Sequence, residues 1–176
     1  MKKFIMLLVA ASTLFGSSQA YFSPQDNLAD RLIELIQKEE KSIHVAIYMF
    51  SNRKIAKELL AARNRGVQVE LICDPGTYKD QSATKSLKEE GVKVFLFDPE
   101  KGAAYKKHKP IMHNKFAIFA KNQNGKPLLW TGSFNFSYQA TTRNKENAII
   151  LDDITTIGLY QKEFQEMKNR CCYAAK

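Results

Sequence analysis

Short apolar runs and amphipathic segments alternate along most of the chain. Runs rich in Val, Ile and Phe predict strands, because β-branched and aromatic side chains suit a pleated, half-buried surface. Apolar residues spaced three and four apart, such as Leu28, Leu32 and Leu35, predict helices with one buried face. We therefore predict strands at 43–50, 67–73, 92–97, 128–131 and 147–151, and helices from Ser23 onwards and at 52–65, 82–90 and 153–170.

The order of these elements predicts the fold class. Ser23 is predicted to cap the first helix, with a proline at the first helical position, and Gly66 and Gly91 stand where a glycine commonly ends a helix. Asn124-Gly125 predicts a hairpin turn. Strands that alternate with helices imply crossover connections, and these join parallel strands. The sequence therefore predicts a single α/β domain with a mixed, largely parallel sheet flanked by helices on both faces.

The start of the chain has the pattern of a secretory signal peptide. Two lysines precede an apolar run at 4–15, and small residues at 18–20 suit cleavage after Ala20. The run is too short and too soon interrupted for a comfortable membrane span. We predict a signal peptide at 1–20 and one exported domain at 21–176, periplasmic or secreted, with no transmembrane segment in the mature chain. An uncleaved membrane anchor is the alternative.

The chain is strongly basic. Its 176 residues carry a formal net charge of +9, and removing the two lysines of the leader leaves +7. This excess favours partners that carry phosphate, although lysines that only keep an exported protein soluble would give the same charge. The stretch 101–115 holds five lysines, two histidines and no acid. We predict that Lys106, Lys107 and Lys109 bind substrate phosphates, and the alternative is a solvated loop.

Five polar residues near strand ends predict chemistry on a phosphate. His113 and Lys115 are two residues apart, so in a strand both side chains face the same side. Imidazole can attack phosphorus or carry a proton, and an ammonium can hold non-bridging oxygens. Ser133 and Asn135 follow one predicted strand, and Glu146 opens the next. A carboxylate in such a place can fix the tautomer of a histidine.

Three segments together resemble the signature of a known family. The chain reads HNKFAIFA from His113, then TGSFNFS around Ser133, then KENAII around Glu146. This order resembles the phospholipase D superfamily, whose signature is His-x-Lys, four residues and an Asp, then Gly-Ser-x-Asn. It is most similar to the small members with one such motif, meaning secreted bacterial endonucleases and mitochondrial cardiolipin hydrolase. One position differs, because Ala120 stands where the family has Asp.

The resemblance implies a phospholipase D-like fold and a metal-independent, two-step hydrolysis of phosphodiesters. His113 would form a phosphohistidine, Lys115 and Asn135 would bind phosphate oxygens, Ser133 would assist, and Glu146 would orient His113. A second His-x-Lys set would protonate the leaving oxygen. Because the chain has one set, the resemblance implies a homodimer in which the two histidines meet. It implies no cofactor and no metal ion.

Three functions remain open at this point. A non-specific endonuclease is favoured by the positive charge and the basic stretch. A phospholipase D or cardiolipin hydrolase, including a secreted effector, would use the same lysines on lipid phosphates. A non-catalytic anion-binding module is suggested by Ala120, although the retention of the other site residues argues against it. We predict a phosphodiesterase with nucleic acid ahead of phospholipid as substrate.

The remaining histidines and the cysteines are not assigned to the site. We expect a structural role for His44, which lies in a predicted strand, and a loop role for His108. Cys73 is expected in the core, whereas Cys171 and Cys172 could cross-link two subunits. The sequence has no Cys-x-x-Cys, no His-Glu-x-x-His and no glycine-rich nucleotide loop, which weakens metal-enzyme and nucleotide-binding interpretations.

Overall fold

The structure, a computed structural model, describes residues 16–79, 82–99, 110–170 and 172–175. Within these residues the strands are β1 (Ser18–Phe22), β2 (Ser42–Ile47), β3 (Gln68–Cys73), β4 (Lys93–Phe97), β5 (Lys115–Phe119), β6 (Leu128–Gly132), β7 (Asn147–Leu151) and β8 (Cys172–Ala174). The α-helices are α1 (Leu28–Lys38), α2 (Arg53–Asn64), α3 (Ala83–Glu89), α4 (Tyr138–Thr142) and α5 (Ile154–Arg170). One sheet joins the eight strands in the order β1-β7-β6-β5-β2-β3-β4-β8.

The sheet is mixed, as predicted, but it is largely antiparallel. Strand β3 runs parallel to both β2 and β4, and the other five pairings are antiparallel. Helices α2 and α3 supply the two crossovers that parallel strands need. Strands β5 and β6 are instead joined by a tight turn in which Asn124 and Gly125 have φ of 55° and 72°. Such a turn closes only antiparallel neighbours, so the prediction of a largely parallel sheet was wrong.

Helices cover both faces of the sheet, which confirms the predicted α/β domain. On one face α1, α2 and α3 bury Leu32, Leu59 and Leu87 against the sheet. On the other face α5 buries Phe164 and Met167. Each side chain of this size contributes about 1.5–3 kcal/mol when it is fully removed from water. The two apolar layers therefore fix the sheet from both sides.

Three of the four predicted helix starts, those of α2, α3 and α5, occur as predicted, and one does not. Asn52 caps α2 and Ser82 caps α3, in both cases through the side-chain oxygen. Helix α1, however, begins at Leu28 and is capped by Asn27. Ser23, the predicted cap, bonds instead to the segment that precedes β7, through its hydroxyl and its backbone N–H. A tertiary contact thus overrides the local capping signal.

Four elements are absent from the predicted strands and helices, and β5, which begins at the His-x-Lys motif, is one of them. Strand β1 pairs antiparallel with β7 along its whole length, from Ser18 opposite Leu151 to Phe22 opposite Asn147. The short helix α4 follows the site loop, and β8 closes the far edge of the sheet beside β4. Strand β1 includes three residues from the predicted leader, whose cleavage after Ala20 stays a prediction.

Several predicted features lie outside the described residues. These are most of the predicted leader, at 1–15, the substrate-binding lysines Lys106, Lys107 and Lys109, and His108 and Cys171. Among the helices that the structure describes, none combines the length and the apolar character that crossing a bilayer requires.

Candidate active site

The predicted site residues converge on one edge of the sheet. Lys115 is the first residue of β5, and His113 precedes it in an extended segment. Ser133 follows the last residue of β6, and Glu146 stands directly before β7. Because β5, β6 and β7 are successive antiparallel neighbours, the start of β5, the end of β6 and the start of β7 lie at the same edge. Asn135 follows Ser133 by two residues.

His113 is exposed and is held between a ring and an ammonium. Its ring lies 4.6 Å from the ring of Tyr48, at an angle of 56°. The Nζ of Lys115 is 3.3 Å from Nδ1 of His113 and donates to the His113 carbonyl at 2.7 Å. The same ammonium lies 5.5 Å from the centre of the Tyr48 ring. Tyr48 therefore contacts both His113 and Lys115, and sequence reasoning missed it.

The backbone on both sides of His113 is anchored from neighbouring strands. Asp74, at the end of β3, accepts from the N–H of Met112 at 3.0 Å through a carboxylate that is itself nearly buried. The carbonyl of Asn114 accepts from the N–H of Tyr48 at 3.0 Å. Met112 is buried, which fixes the residue before the exposed imidazole. His113 is thus presented to solvent from a rigid segment.

Lys115 is partly withdrawn from water. Burial lowers the pKa of its ammonium below the ordinary value, and the negative charge of Glu146 opposes this shift. An ammonium in such surroundings attracts an anion more strongly than one that is fully solvated. Lys115 is therefore suited to hold a phosphate oxygen close to His113.

Ser133 is fixed by a close approach of β6 to β7. Its N–H donates to the Asn147 side-chain oxygen at 2.8 Å and to the Asn147 carbonyl at 3.1 Å, and its Oγ accepts from the Asn147 N–H at 3.0 Å. Gly132 makes this possible, because it adopts φ of +152° and an added Cβ would lie 2.4 Å from the Asn147 carbonyl oxygen. A larger residue at position 132 would therefore push β7 away from Ser133.

Glu146 binds the hydroxyl of Ser133 rather than the imidazole of His113. Its Oε2 accepts from the Ser133 Oγ at 2.5 Å, and its Oε1 accepts from the Asn144 side-chain amide at 2.9 Å. Among the described residues, the predicted Glu146–His113 hydrogen bond is not formed. The carboxylate acts instead on Lys115 through its charge and on Ser133 through a hydrogen bond.

Asn135 presents an amide group to the site. Its side-chain oxygen accepts from the N–H of Met49 at 3.1 Å. Because the oxygen is used in this way, the amide NH₂ is oriented as a donor on the other side. Ser51 and Asn52 both donate backbone N–H groups to the carbonyl of Phe136 at 2.9 Å, which fastens the loop that carries Asn135 to the segment directly before α2.

An open depression of about 600 Å³ adjoins His113. Phe97 and Ile111 give it apolar walls, and Glu163 and Arg170 of α5 give it charges of both signs. Within the residues that the structure describes, no group of three or more His, Cys, Asp or Glu side chains could hold a metal ion.

Two residues that were kept out of the predicted site are structural here. His44 stacks on Phe164 with ring centres 4.8 Å apart, and its Nδ1 lies 3.0 Å from the side-chain oxygen of Gln161. Cys73 is fully buried, and this burial raises the pKa of its thiol to about 12. A buried thiol with a raised pKa stays protonated near neutral pH, so Cys73 is a core residue and not a nucleophile.

Comparisons with known proteins agree with this arrangement of motifs. The family model described as "Cardiolipin synthase, PLD-like domain" matches residues 32–168, a span that contains every predicted catalytic residue. The chain belongs to the phospholipase D superfamily. The resemblance predicted from the motifs around His113, Ser133 and Glu146 is thereby confirmed.

Relatives of this phospholipase D superfamily chain include mitochondrial cardiolipin hydrolases and bacterial phospholipases D. It is 33% identical over 144 residues to a mitochondrial cardiolipin hydrolase of Xenopus tropicalis, covering 81% of this chain and 61% of that protein. It is 32% identical over 133 residues to a phospholipase D of Rickettsia prowazekii, covering 75% of this chain and 58% of that protein. The chain thus spans about three-fifths of the length of these relatives.

Solved structures of similar size share the fold. NucT from Helicobacter pylori is 28% identical, with a TM-score of 0.76 that covers 89% of this chain and 98% of that one. Nuc from Salmonella typhimurium, a phospholipase D family member, is 23% identical, with a TM-score of 0.75 that covers 92% of this chain and 99% of that one. Both likenesses extend over nearly the whole described domain.

Proposed function

We propose that this chain is a phosphodiesterase that uses His113 as its nucleophile. The observation that carries the proposal is the placement of the Lys115 ammonium 3.3 Å from Nδ1 of His113, at a sheet edge where Ser133 and Asn135 also stand. A phosphate that replaces the His113 carbonyl as the partner of Lys115 would lie against the imidazole. Its oxygens would be held by Lys115 and by the amide of Asn135.

The reaction would proceed in two steps without a metal ion. A ring nitrogen of His113 attacks phosphorus, the bond from phosphorus to the leaving oxygen breaks, and an acid gives that oxygen a proton. Water then attacks the phosphohistidine and releases His113. Lys115 offsets the charge on the non-bridging oxygens in both steps. Ser133 and Glu146 would hold the site in shape through their hydrogen bond.

The acid would come from a second copy of this chain. The sequence contains one His-x-Lys set, and the imidazole of His113 is exposed at the surface. Met49, Ile111 and Tyr138 are apolar side chains around this edge that are 41%, 56% and 63% exposed. A two-fold axis beside His113 would bury these side chains and bring the two imidazoles together. We therefore propose a homodimer whose interface forms the complete site.

Nucleic acid is the substrate that we favour. The strong positive charge of the chain supports it, since binding of a polyanion is driven by lysine and arginine contacts to phosphates. Lys106, Lys107 and Lys109 would guide the strand towards His113. The second candidate is a phospholipid, supported by relatives named cardiolipin hydrolase and phospholipase D. The leader pattern supports export to the periplasm or beyond, with a mature chain that starts near Tyr21.

Purified protein tested on several phosphodiesters in EDTA would decide among these functions. Plasmid DNA, RNA, and vesicles of phosphatidylcholine or cardiolipin are the substrates, and His113→Ala is the matched inactive variant. Cleavage of nucleic acid that survives EDTA and disappears in the variant would establish the nuclease. Release of head groups or phosphatidic acid alone would establish the lipase. Folded dimer that turns over none of them would contradict the proposed activity and favour an anion-binding module.

The dimer is tested separately by sedimentation equilibrium. Met49→Asp and Tyr138→Asp introduce charge into the proposed interface, whereas Leu159→Asp introduces it on α5, at a position about as exposed as Tyr138. We expect dissociation and loss of activity only for the first two variants. A wild-type monomer with full activity would rule out the shared site.

A further inference from the structure

One serine holds both backbone groups of Glu146. Ser23 lies between β1 and α1 and is 7% exposed. Its Oγ accepts from the N–H of Glu146 at 2.9 Å, and its own N–H donates to the carbonyl of Glu146 at 2.9 Å. A buried hydroxyl in this place is costly to remove, because the N–H of Glu146 is then left without its acceptor.

The same serine also fixes the residue that binds the other oxygen of the Glu146 carboxylate. The Oγ of Ser23 donates to the carbonyl of Asn144 at 2.8 Å. Asn144 in turn donates its side-chain amide to Oε1 of Glu146 at 2.9 Å, while Oε2 accepts from Ser133. The backbone of Glu146 and one of its two side-chain partners therefore both depend on Ser23.

The contacts of Ser23 with Asn144 and Glu146 join segments that are far apart in the sequence. Ser23 precedes Pro24 and has the sequence of a helix cap, yet Asn27 caps α1 and the hydroxyl of Ser23 is directed to a segment more than a hundred residues later. Arg143, Asn144 and Lys145 are all exposed, so few packing contacts hold this segment in place. The N–H groups of Arg143 and Asn144 bind the carbonyl of Gln139, and the hydrogen bonds from Ser23 hold the residues that follow, up to Glu146.

We propose that Ser23 is a positioning residue that sets Glu146 against Ser133 and Lys115. It touches no substrate and affects turnover through Glu146. The inference rests on the proposed phosphodiesterase function, in which Glu146 keeps Ser133 and Lys115 in the geometry that receives the phosphate. Loss of the Ser23 hydroxyl should therefore slow the chemical step more than it weakens substrate binding.

The kinetic test compares Ser23→Ala with Ser82→Ala on bis(4-nitrophenyl) phosphate, a diester that assumes neither nucleic acid nor lipid. Ser82 caps α3, where its Oγ accepts from the N–H of Lys85, so its loss removes a similar hydroxyl at a place remote from the site. We expect kcat to fall about tenfold in Ser23→Ala with KM within about twofold, and no change in either constant in Ser82→Ala. Ser23→Thr, which keeps a hydroxyl, should recover most of the rate.

A double variant separates positioning from general weakening of the fold. If Ser23 acts through Glu146, adding Ser23→Ala to Glu146→Gln should lower kcat by less than about twofold, because the two effects are not additive. The same tenfold loss in both backgrounds would overturn the proposal. So would a Ser23→Ala variant whose kcat equals that of the wild type.

Hydrogen exchange gives a readout that does not depend on activity. The amides of residues 144–148 should exchange about tenfold faster in Ser23→Ala, since the N–H of Glu146 loses its acceptor. Their exchange rates should be unchanged in Ser82→Ala. Unchanged exchange in Ser23→Ala would overturn the proposal by itself. A wild-type protein that hydrolyses no diester would contradict the proposed function, while this measurement would still decide whether Ser23 holds Glu146.

Discussion

The carboxylate of Glu39 accepts a hydrogen bond from the backbone N–H of Lys121 at 2.9 Å, at the position directly after Ala120. Glu39 is 2% exposed. The same oxygen accepts from the N–H groups of Lys41 and Ser42, and the second oxygen accepts from the side-chain amide of Asn122. A carboxylate from the end of α1 thus supports the chain after β5, where the family signature has its Asp.

We expect Glu39→Ala to destabilise the protein by about 3–5 kcal/mol, because it removes the acceptor that three backbone N–H groups and the Asn122 amide share. Urea denaturation measures the change. The control is Glu40→Ala, in which the carboxylate lost is exposed and paired with Lys121 at 2.6 Å. Surface ion pairs contribute little, so the control should unfold near the wild-type midpoint. Equal midpoints for the two variants would show that Glu39 has no special role.

Ala120→Asp, which restores the family residue, should not raise the rate. The two amides that follow position 120 are already bound, since the N–H of Lys121 donates to Glu39 and that of Asn122 donates to the carbonyl of Lys126. A new carboxylate would therefore find no vacant backbone donor directly after it and would add a negative charge near a buried one. We expect kcat on bis(4-nitrophenyl) phosphate within about twofold of wild type, together with a lower unfolding midpoint. A large gain in kcat would show that Ala120 limits the reaction.

Gly132→Ala should disrupt the site from within the sheet. The added Cβ would lie 2.4 Å from the Asn147 carbonyl oxygen and 2.9 Å from the Cα of Ala148, and backbone atoms cannot move aside as a flexible side chain can. β7 must then shift away from Ser133. We expect a loss of about 2–4 kcal/mol in unfolding free energy and at least about a hundredfold loss of kcat.

Gly125→Ala is the control for Gly132→Ala. Gly125 also has positive φ, at 72°, but an added Cβ would meet nothing within 4 Å. Its substitution should cost about 1–2 kcal/mol of backbone strain and leave kcat unchanged. Comparable activity in the two alanine variants would mean that the approach of β6 to β7 at Gly132 does not matter to the reaction.

Helix caps, turn residues and apolar spacing predicted most elements, because each depends on interactions between residues that are close in the sequence. The caps Asn52 and Ser82 lie where a side-chain oxygen before an apolar stripe predicts them. The turn at Asn124 was equally readable, since few residues tolerate positive φ. Pairing direction was not readable in the same way, because it depends on which strands meet after the chain has turned. The antiparallel pairings other than that of β5 with β6, which the hairpin turn predicts, were missed for that reason.

The sequence predicts which residues form the site, but it does not predict the contacts among them. Motif spacing brought His113, Lys115 and Ser133 to one edge, because alternate strand residues and strand ends obey simple rules. It gave no sign of Tyr48, which reaches His113 from the end of β2, or of Ser23, whose pattern is that of a helix cap. Contacts between distant segments leave no local mark on the sequence.

The fall of kcat/KM at alkaline pH should depend on the charge of Glu146 beside Lys115. Burial lowers the pKa of Lys115, and the charge of Glu146 raises it in opposition. Glu146→Gln removes that charge, leaves the effect of burial unopposed, and so lowers the pKa of Lys115 further. Lys115 must be protonated to hold a phosphate, so the alkaline fall in kcat/KM should move to lower pH.

The measurement is kcat/KM for bis(4-nitrophenyl) phosphate across the alkaline range, with Glu58→Gln on α2 as a control that keeps the wild-type profile. An unshifted alkaline limb in Glu146→Gln would show either that Lys115 is not the group that titrates there or that Glu146 does not act on it.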